Sequence, residues 1–349
     1  MSVPVALRVL RTTAELEVLM PQWMELWLSN AHATPFQHPA WLLPWWHHFG
    51  QPDLRAMTLW NGNELMALIP LYIYRDPVSG FRQCLLIGAG TSDYLDGIFS
   101  PACTPEHVLA ALETLGQEDD WDTASFTQLR PHSLLFQALR QLDGDAATSY
   151  AGESCARRSA VGIADLPRKV CADVRYFSNY ARGSGRLELA VADKVSWSEM
   201  FEALVDLHTE RWQRAGEPGV LADPAVLAWQ REAIPQLEAS GLLRLLALRV
   251  NDKPFAVLYS LIDPPCRAVR TQYFYLTGFS VSHAKLKPGT ILTGRAIEHA
   301  ANEGVRTIDM LRGDESYKKF WHVERVPTYG FTVRRDALPN TASSLIAAR

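Results

Sequence analysis

LRLLALRVNDKPFAVLYSLI, residues 243–262, reads as two β-strands joined by a short turn. A matching hairpin stands upstream in MTLWNGNELMALIPLYIY, residues 57–74, where Asn61-Gly62 is a strong hairpin-turn signal. Laid on each other at an offset of 189 residues, Leu54, Arg55, Leu59, Ala67 and Ile73 meet Leu243, Arg244, Leu248, Ala256 and Ile262, with the turn slipping by one residue. Five identities over twenty positions gain weight from the order of elements around them, which also repeats. The N-terminal copy opens with an alternating strand at 5–10, a helix at 13–30 and a segment at 41–49 that sets Trp41, Trp45, Trp46 and Phe49 on one face, a pattern typical of burial. It continues through the strand RQCLLIG and helices near 105–116 and 131–142.

The C-terminal copy opens with a capping-box pattern, Ser196 and Glu199, ahead of a helix that carries Phe201, Leu204, Val205, His208 and Trp212 on one face. After the hairpin come the strand VRTQYFYLTGF, an amphipathic helix over 290–303, the strand TIDML and a last strand at 328–335. The expected organisation is α/β, with an N-terminal domain over 1–150, a connecting segment over 151–185, a C-terminal domain over 186–335 and a tail over 336–349. Each domain is expected to hold a mixed twisted sheet flanked by helices.

The densest chemistry lies in TIDMLRGDESYKKFW, residues 307–321. A short strand empties into a turn holding Arg312, Asp314, Glu315, Tyr317, Lys318 and Lys319 before Phe320 and Trp321 restore apolar character. Gly313 permits a sharp bend at the strand end, where open α/β sheets usually bind ligands. Asp314 and Glu315 are candidates to hold a water or an amine, or to form a solvated turn. Arg312 and Lys318 are suited either to pair with those carboxylates or to clamp an anion. His208, on the apolar face of its helix, reads as a core residue or as a base with a lowered pKa.

The set Asp309, Leu311, Arg312, Gly313, Asp314, Glu315, Tyr317, Lys318 and Trp321 resembles the signature of the CelD-like acyltransferases, a branch of the GNAT superfamily from bacterial exopolysaccharide and cellulose gene neighbourhoods. The likeness extends through YFYLTGFS (273–280), LKPGTIL (286–292) and LHTERWQRAGEPGV (207–220), and more weakly through HPAWLLPWWHHFG (38–50) and SDYLDGIF (92–99). The branch is distantly similar to the Fem-type aminoacyltransferases, so the resemblance implies tandem GNAT-like domains. It also implies transfer of an acyl group from acyl-CoA or an acyl carrier protein to an amino group of a small molecule or sugar precursor.

On that resemblance the loop with Lys285, Lys287, Gly289, Thr290 and Ile291 is expected to hold the donor's phosphates at a helix N-terminus, although a plain helix start after Pro288 fits the same letters. Tyr317 stands where many GNAT enzymes supply a tyrosine that protonates the leaving thiolate; packing is its other reading. Asp314, Tyr317 and His208 are the candidate catalytic residues. Arg211, Trp212, Tyr273, Arg312, Glu315 and Lys318 are candidate substrate contacts. Asp93, Tyr94 and Asp96, which end a strand of the N-terminal domain, are expected to hold the acceptor across a cleft from the 312–318 turn, or to form a hydrogen-bonded turn. Gly88-Ala89-Gly90 carries little weight as a nucleotide loop.

Composition bounds the alternatives. The chain has 349 residues, 48% of them hydrophobic, and a formal net charge of −4, which gives no electrostatic reason to expect a nucleic-acid partner. The five cysteines are odd in number and never form a CxxC pair, so neither a disulfide framework nor a zinc site is indicated and no metal is expected. No segment has the length and apolarity of a membrane span, and a cytoplasmic protein is the expectation. Two further readings stay open: a Fem-like transferase using aminoacyl-tRNA, and a non-catalytic carbohydrate or assembly module on a degenerate acyltransferase fold.

Overall fold

A computed structural model describes residues 5–50, 53–144, 146–338 and 346–348. The chain divides into two compact units, Met1–Glu153 with Pro327–Arg349, and Ser154–Val326. The first unit holds β1 (Val5–Leu10), α1 (Thr13–Val18), α2 (Met20–Ser29), α3 (Pro39–Phe49), β2 (Ala56–Asn61), β3 (Glu64–Ile69), β4 (Leu71–Arg75), β5 (Arg82–Leu86), β6 (Ile98–Phe99), α4 (Pro105–Gly116), β7 (Thr123–Leu129), α5 (Leu134–Gln141) and β8 (Ala147–Ala151). The second holds β9 (Cys155–Ser159), α6 (Arg168–Arg182), β10 (Leu187–Val191), α7 (Trp197–Arg214), α8 (Pro224–Ala239), β11 (Leu243–Val250), β12 (Lys253–Ile262), β13 (Thr271–Phe279), α9 (Pro288–Asn302), β14 (Thr307–Arg312), α10 (Ser316–Phe320) and β15 (Glu324–Val326). The chain then returns to the first unit as β16 (Tyr329–Arg334) and β17 (Ile346–Ala348).

The first unit contains two sheets, ordered β17-β1-β2-β3-β6 and β4-β5-β7-β16-β8. Pro70 stands between β3 and β4 and has no N–H to give to a ladder, so the chain hands over from one sheet to the other at that residue. The aromatic face of α3 is core: Trp41, Trp45 and Trp46 are buried, and their indole N–H groups donate to Ser92, Thr91 and Thr13 at 2.8, 2.8 and 2.9 Å. The single helix expected over 13–30 is two helices meeting at Leu19, because Pro21 lacks the amide that would continue the ladder.

The second unit is one mixed sheet ordered β10-β11-β12-β13-β14-β9-β15, with β13 and β14 the parallel neighbours. Ile291, Leu292 and Ala296 of α9 pack on Leu246, Leu248 and Leu258 of the sheet, and α6 presses against α9 at Gly294. A Cβ there would come within 2.6 Å of Val174, so only glycine permits this approach. The Ser196 and Glu199 capping box does not form. Asp193 Oδ1 instead accepts the backbone amides of Val195 and Ser196 at 3.0 and 2.8 Å and the Ser196 hydroxyl at 2.7 Å, which occupies the serine before the helix can use it.

The hairpins repeat more closely than their letters do. The closing pair Asn61↔Glu64 recurs as Val250↔Lys253, and the register shift between Leu59 and Trp60 recurs between Leu248 and Arg249, each at an offset of 189. A β-bulge kept at one register position marks two copies of one device. The slip expected at the turn is absent: both loops span two residues, and only the turn chemistry differs, with Gly62 at positive φ in one and Asn251 and Asp252 both at positive φ in the other. Strands β5 and β13 also begin 189 residues apart, and each takes a parallel partner, β7 and β14.

The units differ from the boundaries expected from sequence. The stretch 151–185, expected as a connection, contributes β9 and α6 to the second unit. The last strand, expected in the C-terminal domain, is β16, which inserts between β7 and β8 of the first unit because Phe331 and Val333 complete that unit's core. Most of the expected tail lies outside the described residues, while Ile346–Ala348 pairs in parallel with β1.

Candidate active site

Strands β13 and β14 are hydrogen-bonded only where Thr271–Tyr273 meets Thr307–Asp309. Past Tyr273, β13 runs on along β12 to Phe279 while β14 turns away, so the edge of β13 facing β14 carries backbone groups that this pair does not use. The turn begins at Leu311, a non-glycine residue at φ +59°, a conformation that costs about 1–3 kcal/mol unless its surroundings enforce it. Asp309 provides that enforcement. Fully buried, it accepts the Leu311 amide at 2.8 Å through Oδ1 and Arg157 Nε at 2.6 Å through Oδ2.

Lys318 locks the same turn. Its ammonium donates to Leu311 O at 3.2 Å and to Arg312 O, and pairs with Glu315 at 2.9 Å, which occupies all three donors of a buried side chain. Of the two readings of Lys318, pairing with a carboxylate of the turn is the one seen, and its charge is taken up in holding the strand end rather than in clamping a substrate anion. Arg325 fixes the next segment by donating to Gly313 O at 2.7 Å and to Asp314 Oδ1, and Lys319 approaches Asp314 at 3.6 Å. Asp314 is exposed and held between the Arg325 and Lys319 cations. Glu315 folds over Gly313, where an added Cβ would meet its Oε2 at 2.4 Å. Arg312 sits at the end of β14 opposite Cys155 of β9.

Helix α7 brings a second group to this region. Arg211 lies over the Phe279 ring at 4.5 Å and the Trp212 ring at 5.5 Å, and it shares an electrostatic environment with Tyr317 and Glu315. Burial and the Glu315 charge, opposed by Arg211, push the Tyr317 phenol up to about 12, so its hydroxyl keeps its proton throughout the neutral range although the residue as a whole is half exposed. His208 is buried one turn before Trp212, its ring 6.0 Å from the indole. Burial and the Arg211 charge bring its pKa down to about 4, and its Nδ1 has no hydrogen-bond partner. Gly219 and Gly278 allow these contacts: a Cβ at 219 would meet His208 and Trp212 at 2.8 Å, and one at 278 would meet the α7 backbone at 2.9 Å.

The expected phosphate loop is only partly open. Lys285 and Lys287 are exposed, and Lys287 caps α9 at φ +51°. Its carbonyl accepts the amides of Thr290 and Ile291 at 3.0 and 3.2 Å, so of the amides of Gly289, Thr290 and Ile291 only that of Gly289 is left. Gly289 lies beside the Phe279 ring, 3.8 Å from where its Cβ would be, which links the start of α9 to the Arg211 group. Tyr273 is not part of this cluster; buried, it donates to Asp263 at 3.2 Å as a cross-strand tie. Asp93, Tyr94 and Asp96 are all buried in the first unit. Sequence reading missed the positioning roles of Asp309, Arg157 and Arg325. An aspartate inside the apolar strand TIDML is the one signal that pointed to them.

Among the described residues no helix is long and apolar enough to cross a membrane, and no group of three or more His, Cys, Asp or Glu side chains could hold a metal ion. Residues 168–319 match the family model of the acetyltransferase (GNAT) domain. No curated protein matches the chain by sequence. Among solved structures it is similar to FemX, at 10% identity over 94% of this chain and 96% of that one with a TM-score of 0.65. It is also similar to L-PGS from Bacillus licheniformis, at 12% identity over 93% of each chain with a TM-score of 0.57. A conserved protein of unknown function from Bacteroides thetaiotaomicron resembles it at 12% identity, over 94% of this chain and 99% of that one, with a TM-score of 0.54. Residues 168–319 of the second unit are thus similar to the acetyltransferase (GNAT) domain, in a chain whose α/β fold is similar to that of FemX.

Proposed function

We propose that the chain is an N-acyltransferase whose second unit carries the reaction. The observation that supports this most is the convergence of Arg211, Trp212, Phe279, Glu315 and Tyr317 beside the parted end of β13 and β14, within the span that matches the acetyltransferase domain. An acyl thioester, from acyl-CoA or an acyl carrier protein, supplies the acyl group. The open edge of β13 offers backbone donors and acceptors to the amides of a donor arm, as a sheet edge does to an added strand. Gly289 N–H, Lys285 and Lys287 offer a thin anion site for the donor's phosphates.

In the reaction the acceptor amine attacks the thioester carbonyl, the C–S bond breaks and the thiolate needs a proton. The Tyr317 phenol, protonated at neutral pH and coupled to Arg211, supplies it. Glu315, whose Oε2 pairs with Lys318, takes the amine's proton on Oε1, directly or through water. Asp314, held by Arg325 and Lys319, shapes the turn instead of acting as the base. Neutral, buried His208 packs the wall behind Arg211. The acceptor proposed is an amine on a small molecule or sugar precursor, and the exopolysaccharide setting rests on the CelD-like resemblance of residues 307–321.

The fold likeness to FemX favours a second reading, aminoacyl transfer from aminoacyl-tRNA, which the net charge of −4 counts against. The single open amide at the start of α9 favours a third, a non-catalytic module. Incubating the protein with acyl-CoA thioesters and a panel of amines while following free thiol separates these. Thiol release that needs an amine supports acyl transfer; thioester left intact with every amine, alongside turnover of aminoacyl-tRNA or of nothing, would overturn it.

A further inference from the structure

The first unit contains a cavity of about 390 Å³, at the small end of the ~300–1,000 Å³ range of small-molecule sites. Asp96, Arg130, Ser100, His32, His132 and Leu134 are among the residues that line it. Two opposite charges are buried in its wall, and each is only half used. Asp96 Oδ1 accepts the Ser133 hydroxyl at 3.0 Å and the Gly97 amide at 2.8 Å, while Oδ2 accepts nothing. Arg130 donates through Nη2 to His32 O at 2.6 Å and lies over the Tyr94 ring at 5.4 Å; its Nε is buried without a partner and its Nη1 makes no hydrogen bond. The Ser100 hydroxyl is likewise buried and unpartnered. Asp96 is 7% exposed and Arg130 6%, yet the two do not pair with each other.

Isolated buried charges are costly, and a folded chain normally brings such a pair into contact. Two that line one cavity, stay apart and keep free valences are complementary to a ligand carrying both charges. Each of its ends then replaces the water that its protein partner lost on burial. Burial pushes the Asp96 carboxyl up to about 7, with Arg130, Ser133 and the Gly97 amide opposing, so Asp96 is fully ionised beside the Arg130 cation only above neutrality.

We propose that this cavity binds a small zwitterion of the α-amino-acid class, its ammonium on Asp96 Oδ2 and its carboxylate on Arg130, with the side chain toward Leu134 and Phe99. The site stands independently of the acyl-transfer reading, because every residue in it belongs to the first unit. Isothermal titration of the full chain at pH 8 with L-alanine, L-serine, L-leucine and L-lysine, beside ethylamine, propionate and glucose, tests it. At least one amino acid should bind tenfold or more tightly than ethylamine and propionate, and Asp96→Asn and Arg130→Met should each weaken it tenfold or more. Arg130 also holds His32, so if that variant misfolds the Asp96→Asn arm, which keeps the Oδ1 contacts, decides alone. No heat from any amino acid, binding of a single-charge control or glucose as tight as the best amino acid, or unchanged affinity in Asp96→Asn would overturn the proposal.

Discussion

Tyr317 and Asp96 illustrate what one side chain can contribute. Tyr317→Phe removes the phenolic hydroxyl and little else, since the residue is half exposed; turnover should fall about 10²- to 10⁴-fold with an unchanged melting temperature. A variant that melts earlier and keeps its turnover per folded molecule would assign the tyrosine to packing. Asp96 makes a forecast about pH. Its carboxyl is raised by burial from 3.8 to about 7, so the folded state binds the extra proton and stability falls as pH rises between those values, by at most about 4 kcal/mol. Buried His38 and His208, each lowered to about 4, act in the opposite sense: their contribution is complete above pH 6.5 and is lost as pH falls toward 4. Denaturant unfolding at pH 8 should therefore show Asp96→Asn more stable than wild type, and the difference should shrink toward zero by pH 4. Equal stability at both pH values would contradict the assigned burial of charge. Only the His208 environment was legible in the sequence, from its place on the apolar face of its helix; those of Asp96 and His38 were not, because desolvation depends on what surrounds a group in space.

At the scale of elements, the strands and helices followed from pattern, while their ends depended on local competition. The hairpins, α9 and the Trp face of α3 were readable from periodicity. Pro21 divided a helix that periodicity alone would have run through, and Asp193 took over the cap that Ser196 and Glu199 spell. The turn after β14 was legible as a concentration of charge at a strand end, yet the division of labour within it was not. Lys318, read as a partner of the turn's carboxylates or as an anion clamp, pairs with Glu315, and Asp314, read as a ligand-holding group or part of a solvated turn, is held by Arg325. Lys318→Met should therefore destabilise the protein by about 1–3 kcal/mol in denaturant unfolding, since it leaves the Leu311 and Arg312 carbonyls unsatisfied, and should lower turnover through a disordered strand end. A variant with wild-type stability would show that those carbonyls find other partners. The exposed pair Lys285 and Lys287 forecasts the reverse: double replacement by alanine should leave the melting temperature in place and weaken donor binding, as measured by titration with coenzyme A.

The molecule as a whole is a duplicated plan, and the duplication was detectable as five weak identities because the offset of 189 is kept through both strands and the bulge. What the sequence hid was the crossing of the chain between units. β16 reads as the natural last strand of the second half, yet its apolar residues Phe331 and Val333 complete the first unit's core between β7 and β8. Ending the chain at Val326 should then unfold the first unit while leaving the second protected, a difference that hydrogen exchange resolves peptide by peptide. Uniform protection in the shortened chain would contradict the assignment of β16. The central claim, that the second unit transfers acyl groups at the parted strand end, is tested most directly by one time course. Free thiol is followed from acetyl-CoA and a panel of amines, with wild type, Tyr317→Phe and Glu315→Gln assayed at equal folded concentration. Amine-dependent thiol release by the wild type, reduced at least a hundredfold in Tyr317→Phe and also lowered in Glu315→Gln, is the expected result; equal release by all three proteins, or none from the wild type, would contradict it.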